Sequence, residues 1–215
     1  MIKVLQVFLQ SLLIGYSGAV MPGSLLTYTI DRSFRCGPKS GLIISGGHAL
    51  LELLLVILIL AGFGKYLGSA AVQIMVGLLG GVVLIFLGGG MIKDGISQNL
   101  NLDFSSETEQ PQGSLLFSGA FLSICNPYFL VWWAVVGLGL IMNAYKSFGL
   151  TGIILVYCGH ILADISWYGL VSALVSKTKD FFNPRIYHSL IVVLGALLVI
   201  FGFGFFLNSV KLILH

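Results

Sequence analysis

"GGHALLELLLVILIL", residues 46–60, sets His48 and Glu52 in a run otherwise built from glycine, alanine, leucine, isoleucine and valine. No soluble helix needs so long an apolar surface on all sides, and an imidazole and a carboxylate inside it are expensive unless something holds them. The rest of the chain is similarly apolar. Of its 215 residues 57% are hydrophobic and 9% charged, and the mean hydropathy is +1.02, where an ordinary soluble domain is about one quarter charged. This is the composition of an all-α integral membrane protein. The formal net charge of +3 is scattered over short connections, which speaks to orientation in a bilayer and against a nucleic-acid partner.

A helix rising about 1.5 Å per residue needs roughly 20 apolar residues to cross the hydrocarbon core. Six stretches meet that length, at about 4–30, 42–62, 70–92, 114–142, 149–175 and 187–210. The N-terminal stretch has an early cation, Lys3, but "SGAVMPG" offers no A-x-A cleavage pattern, so it is expected to remain as the first span. "GISQNLNLDFSSETEQPQG", residues 95–113, is the one long polar segment and reads as a flexible linker.

The two sides of that linker echo each other. "GGHALLE" in the second span is answered by "CGHILAD" in the fifth, both G-H-x-L-x-acid. Gly47, His48, Glu52 and Lys65 map onto Gly159, His160, Asp164 and Lys177 by one shift of 112 positions. The third and sixth spans match Gly81, Gly88 and Gly90 to Gly195, Gly202 and Gly204 by a shift of 114. "SGAVMPG" and "SGAFLSICNP" open the first and fourth. The expected domains are therefore 1–94, a first three-helix repeat, 95–113, a polar cytoplasmic linker, and 114–215, a second three-helix repeat. Three is odd, so the second copy enters from the opposite side. That gives two inverted repeats, the architecture of many secondary transporters. Arg32, Arg35, Lys39, Lys93, Lys177, Lys179 and Arg185 fall on one side, against Lys3, Lys65, Lys146 and Lys211 on the other. The richer side is expected in the cytoplasm, with both termini outside.

Residues four apart share a helix face, so His48 pairs with Glu52 and His160 with Asp164. A carboxylate near mid-span costs at least ~2.5–3.5 kcal/mol and marks a functional position facing the bundle interior or a water-filled cavity. "MPGS" (21–24) and "CNPY" (125–128) place Pro22 and Pro127 inside membrane segments, where proline kinks or breaks a helix. Asn126 reads as an N-cap and Pro127 as the first residue of a half-helix, and such helix starts favour anions. Paired breaks beside paired carboxylates suit a zwitterion: backbone amide groups freed at the breaks made by Pro22–Gly23 and Asn126–Pro127–Tyr128 for a carboxylate, Glu52 or Asp164 for an ammonium. The 28 glycines are expected to let helices approach closely, and the tryptophans to serve as interface anchors or packing.

These motifs resemble the LysE-type translocator family, the lysine and homoserine/threonine exporters. "PGSLLTYTIDRSFRCGPKSGLIISGGHALLE" is similar to the family's first motif, with its Pro-Gly start, basic loop and glycine-rich second span, and "GAFLSICNPYFLVWWAVVG" to its Asn-Pro motif in the fourth span. The resemblance implies an exporter in the inner membrane for amino acids or related small metabolites, driven by protons, with no enzymatic activity and no cofactor. It carries over Pro22, Gly23, Asn126, Pro127 and the acids Glu52 and Asp164. Ser24 stands where the family has a second proline, Tyr128 where many members have lysine, and the two histidines are additions. Two other functions compete. His48, Glu52, His160 and Asp164 form an N2O2 set suited to a divalent metal ion as cargo. A thiol-redox conduit would want paired cysteines, but Cys36, Cys125 and Cys158 have no symmetric counterparts. A homo-oligomer is compatible with all of these.

Overall fold

Almost every stretch with enough consecutive apolar residues is helical, since only a helix satisfies backbone amides and carbonyls within one apolar segment. The computed structural model describes residues 2–21, 23–67, 69–97, 112–178 and 184–214. In chain order these form α1 (Ile2–Ala19), α2 (Ser24–Cys36), α3 (Ser40–Leu58), a wide π-type turn (Ile59–Phe63), α4 (Gly64–Leu67), α5 (Ala70–Ser97), α6 (Gln112–Ile124), α7 (Pro127–Trp132), a second π-type turn (Trp133–Gly137), α8 (Leu138–Thr178) and α9 (Pro184–Leu214). The expected linker lies mostly outside the described residues, although its ends at 95–97 and 112–113 are helical.

Among the described residues four helices are long and apolar enough to cross a membrane: Ser40–Phe63, Ala70–Lys93, Tyr128–Thr178 and His188–Leu214. A fifth appears if Val4–Ala19 and Ser24–Cys36, which meet at 78°, are one broken span. The sequence had suggested six, and Tyr128–Thr178 accounts for the difference. Its 51 residues would stretch about 75 Å as one straight helix, more than twice the hydrocarbon core. It does not stay straight. Gly149 takes φ 58, ψ −142, a region open essentially to glycine alone, and divides α8 into 138–148 and 150–178. Beyond that break, Gly152 backs closely onto the Ala144 carbonyl.

The packing follows the glycines. A Cβ at Gly81 would sit 2.8 Å from the Gly202 carbonyl oxygen and one at Gly202 2.7 Å from that of Gly81; Gly88 and Gly195 oppose each other in the same way at 2.5 and 2.7 Å. Backbone touches backbone along α5 and α9, as small residues permit. Gly47 on α3 lies against the Leu116 carbonyl of α6, while Gly159 on α8 lies against the Phe8 carbonyl of α1. Gly41 on α3 meets the Tyr168 carbonyl of α8, which draws together the two helices that carry the histidine–acid pairs. Leucine, isoleucine and phenylalanine cover the outside: Phe86 is 80% exposed and Leu13 70%, whereas Glu52 is 1% exposed and Asp164 2%. Polar inside and apolar outside is the arrangement lipid requires.

Candidate functional site

One i,i+4 pair on each of α3 and α8 sets the centre. His48 and Glu52 project from one face of α3, His160 and Asp164 from one face of α8, and all four are buried. The two pairs merge into one cluster. Glu52 Oε1 lies 3.2 Å from His48 Nε2 and 3.0 Å from His160 Nε2, and Trp133 Nε1–H donates to the same oxygen at 2.9 Å. Asp164 Oδ2 lies 3.5 Å from His160 Nε2 and 3.9 Å from His48 Nε2, and neither contact is a hydrogen bond. His48 Nδ1 shares a 2.7 Å hydrogen bond with the Ser123 hydroxyl, which also donates to the Gly119 carbonyl at 2.7 Å. His160 Nδ1, Glu52 Oε2 and Asp164 Oδ2 are buried without a hydrogen-bond partner among the described residues.

The breaks lie beside this cluster. Asn126 caps α7, its side-chain oxygen accepting the Tyr128 amide at 3.1 Å, with Pro127 opening the helix. Gly23 precedes α2 in an extended conformation and gives no side-chain cap, and a Cβ on it would lie 3.4 Å from Asn126 Nδ2. Ser24 Oγ donates across to the Leu122 carbonyl at 3.2 Å. The two breaks thus face each other. Gly23, His48, Glu52, Asn126, Tyr128, His160 and Asp164 all line one cavity of about 90 Å³, room for several waters or a small polar group. Pro22 lies outside the described residues, and Pro127 opens α7.

Of the two roles expected for the tryptophans, interface anchors or packing, Trp132 and Trp133 take the second, buried against His160. Trp132 stacks on the His160 ring at 4.5 Å and 26°, while Trp133 meets the same ring edge-on at 5.6 Å. Both rings flank His160 at the point where α7 passes into the wide turn at Trp133–Gly137. Their place near the middle of an apolar stretch, rather than at its ends, was the available signal. Ser123 had none, being one serine among many.

Donor atoms of His48, Glu52 and Asp164 lie within 4.8 Å of one another, a spacing that could hold a metal ion. Yet the indole N–H of Trp133 cannot ligate a metal and already occupies Glu52 Oε1. A cation would therefore approach Glu52 through its other oxygen, Oε2, which is buried without a hydrogen-bond partner among the described residues.

The model of the LysE-type translocators matches residues 16–209. The chain belongs to the LysE-type translocator family. It is therefore a multi-pass membrane transporter and not an enzyme. Among its relatives, the "Chemotactic transduction protein ChpE" of Pseudomonas aeruginosa is 27% identical over 80% of this chain and 83% of its own. The "Putative amino acid efflux protein YcgF" of Bacillus subtilis is 20% identical over 98% of this chain and its own full length. No solved structure gives a significant match.

Proposed function

We propose that this translocator exports an amino acid or related small metabolite across the cytoplasmic membrane, exchanging it for protons at the cluster of His48, Glu52, His160 and Asp164. One observation carries the proposal: two buried carboxylates share two histidine nitrogens beside a cavity bounded by two facing helix breaks. The efflux function named for the Bacillus relative points the same way. Glu52 Oε1 is held by three nitrogen groups, so it serves as the fixed anchor. Asp164, whose Oδ2 accepts nothing, is the group free to take a proton or a substrate ammonium. The substrate carboxylate docks at the start of α2, where Gly23 leaves the first amide groups of the helix without a side-chain cap beside the cavity. Asn126 closes the equivalent start of α7 with its own side chain.

The architecture proposed with this function is six spans in two inverted units, 1–94 and 114–215, joined by 95–113. The reciprocal glycine contacts of α5 with α9 support it, as do the matched approaches of Gly47 to α6 and Gly159 to α1. Both termini lie outside. Ser176 Oγ donates to the Ser33 carbonyl at 2.9 Å and Gly95 backs onto His188, so the cation-bearing ends of α2, α5 and α8 gather at one end of the bundle, the cytoplasmic one. Energetically the exchange closes: a tenfold uphill gradient costs about 1.4 kcal/mol, and one charge falling through 100 mV releases about 2.3 kcal/mol.

Inside-out vesicles test the proposal. Labelled amino acid should accumulate when a proton gradient is imposed, and Asp164→Asn should abolish uphill uptake at equal expression. Uphill uptake by Asp164→Asn equal to wild type would sink the exchange scheme. The rival, divalent-metal carriage by His48, Glu52, His160 and Asp164, requires metal flux that disappears in the His48→Ala, His160→Ala double variant while amino-acid flux is absent throughout.

A further inference from the structure

Below the central cavity, toward the cation-rich end, α2, α5, α6 and α9 enclose a second space of about 850 Å³. It shares Ser24 and Leu198 with the central cavity, so the two are separated there by a serine and a leucine side chain. Among the described residues its charged lining consists of Asp31, Arg32, Arg35 and Lys93, three cations against one carboxylate.

The cations are fixed in place. Asp31 lies between two guanidinium groups, with Arg35 Nε 3.0 Å from Oδ1 and Arg32 Nε 3.4 Å from Oδ2. Arg32 also lies over the Tyr28 ring at 4.9 Å, a cation–π contact. Tyr28 is in turn tied to α6, its hydroxyl donating to Ser118 at 3.0 Å. Lys93 enters from α5 and has no ion pair among the described residues. Setting orientation in the membrane accounts for cations at this end. It does not account for a stacked, buttressed arginine in the wall of a cavity that leads to the site.

We propose that this space is the mouth through which substrate loads from the cytoplasm, and that its charge selects molecules bearing a carboxylate and no net positive charge. The inference rests on the export reading and narrows its substrate class to neutral or acidic amino acids. Low-dielectric walls focus the field of the cations, which concentrates anionic groups at the mouth and repels a second ammonium. From there a carboxylate has a short path, past Ser24, to the uncapped start of α2.

Uptake of labelled L-alanine, L-glutamate, L-lysine and L-alaninamide into inside-out proteoliposomes measures this directly. Wild type should carry alanine or glutamate and should carry lysine and alaninamide, which bear a net positive charge, at least about tenfold less well. Lys93→Glu leaves the central cluster untouched. It should raise the half-saturating concentration for the favoured substrate about tenfold without lowering the maximal rate, and Lys93→Arg should restore it. Equal transport of lysine, or an unchanged half-saturating concentration in Lys93→Glu, overturns the mouth while leaving export intact. A Lys93→Glu effect seen with phosphatidylglycerol but absent in pure phosphatidylcholine overturns it too, assigning the cations to lipid headgroups. No flux of any of the four probes in wild type overturns the export reading itself, and this inference with it.

Discussion

His48 and Glu52 on α3 and His160 and Asp164 on α8 repeat one four-residue spacing, at similar depth, with different surroundings. Glu52 receives Trp133 and both histidines on one oxygen, whereas Asp164 has two nitrogens nearby and a hydrogen bond to neither. Ser123 holds the outer nitrogen of His48. The corresponding nitrogen of His160 faces Gly15, whose added Cβ would lie 2.9 Å away, and finds no partner. Two copies of one motif thus become an anchored side and an open side. The matching spacing places like groups on the two helices; the neighbours that each pair meets decide what they can do.

The largest expected effect tests that division. Glu52→Ala leaves three buried donors without their acceptor and should destabilise the protein by ~3–5 kcal/mol, as removal of one partner from a buried ion pair does. Asp164→Asn removes an acid that accepts no hydrogen bond on Oδ2 and should leave unfolding in detergent close to wild type while uphill transport is lost. Equal destabilisation by the two, in chemical unfolding followed by fluorescence, would erase the distinction between anchor and exchanging group.

Next comes the indole. Trp133→Phe keeps the ring against His160 but deletes the donor to Glu52, a hydrogen bond to a charged group worth ~1.5–3 kcal/mol. The loss should appear in stability and in a lower maximal transport rate. If Trp133→Phe matches wild type in both, Glu52 is anchored by the histidines alone.

The sequence made the pairing of these helices legible and left their unequal environments obscure. The G-H-x-L-x-acid echo and the glycine spacing rest on side-chain type and position, and the structure brings Gly81 against Gly202 and Gly88 against Gly195. Asn126 and Pro127 were readable because capping is local. Trp132 and Trp133 were not, since their contact with His160 joins residues far apart in the sequence. Ser123 was invisible for a different reason: its role is set by α3 lying beside α6, a long-range fact. The extra apparent length of Tyr128–Thr178 hides a kink that only the backbone angles of Gly149 reveal.

Two glycine variants test the equivalent part of the repeat. An alanine at Gly47 would press on the Leu116 carbonyl, and one at Gly159 on the Phe8 carbonyl. Overpacking of this kind costs ~1–3 kcal/mol, and the two variants should lose similar stability in the same unfolding measurement. A large cost at one and none at the other would mean that only one of these close approaches is tight in the membrane.

The smallest effect belongs to Ser123. Ser123→Ala removes one neutral hydrogen bond from His48 Nδ1, worth ~1 kcal/mol, or about a fivefold change in an equilibrium. Deletion of the hydroxyl gives the His48 ring the same bare outer nitrogen that His160 already has, so the anchored side is made to resemble the open one. If the inequality of the two histidines matters to transport, flux should fall about fivefold with little change in expression, and Ser123→Thr, which keeps a hydroxyl at the same Cβ, should recover most of it. If alanine and threonine behave alike, Ser123 only packs between α3 and α6. The difference between the two sides would then rest on Trp133 and Glu52.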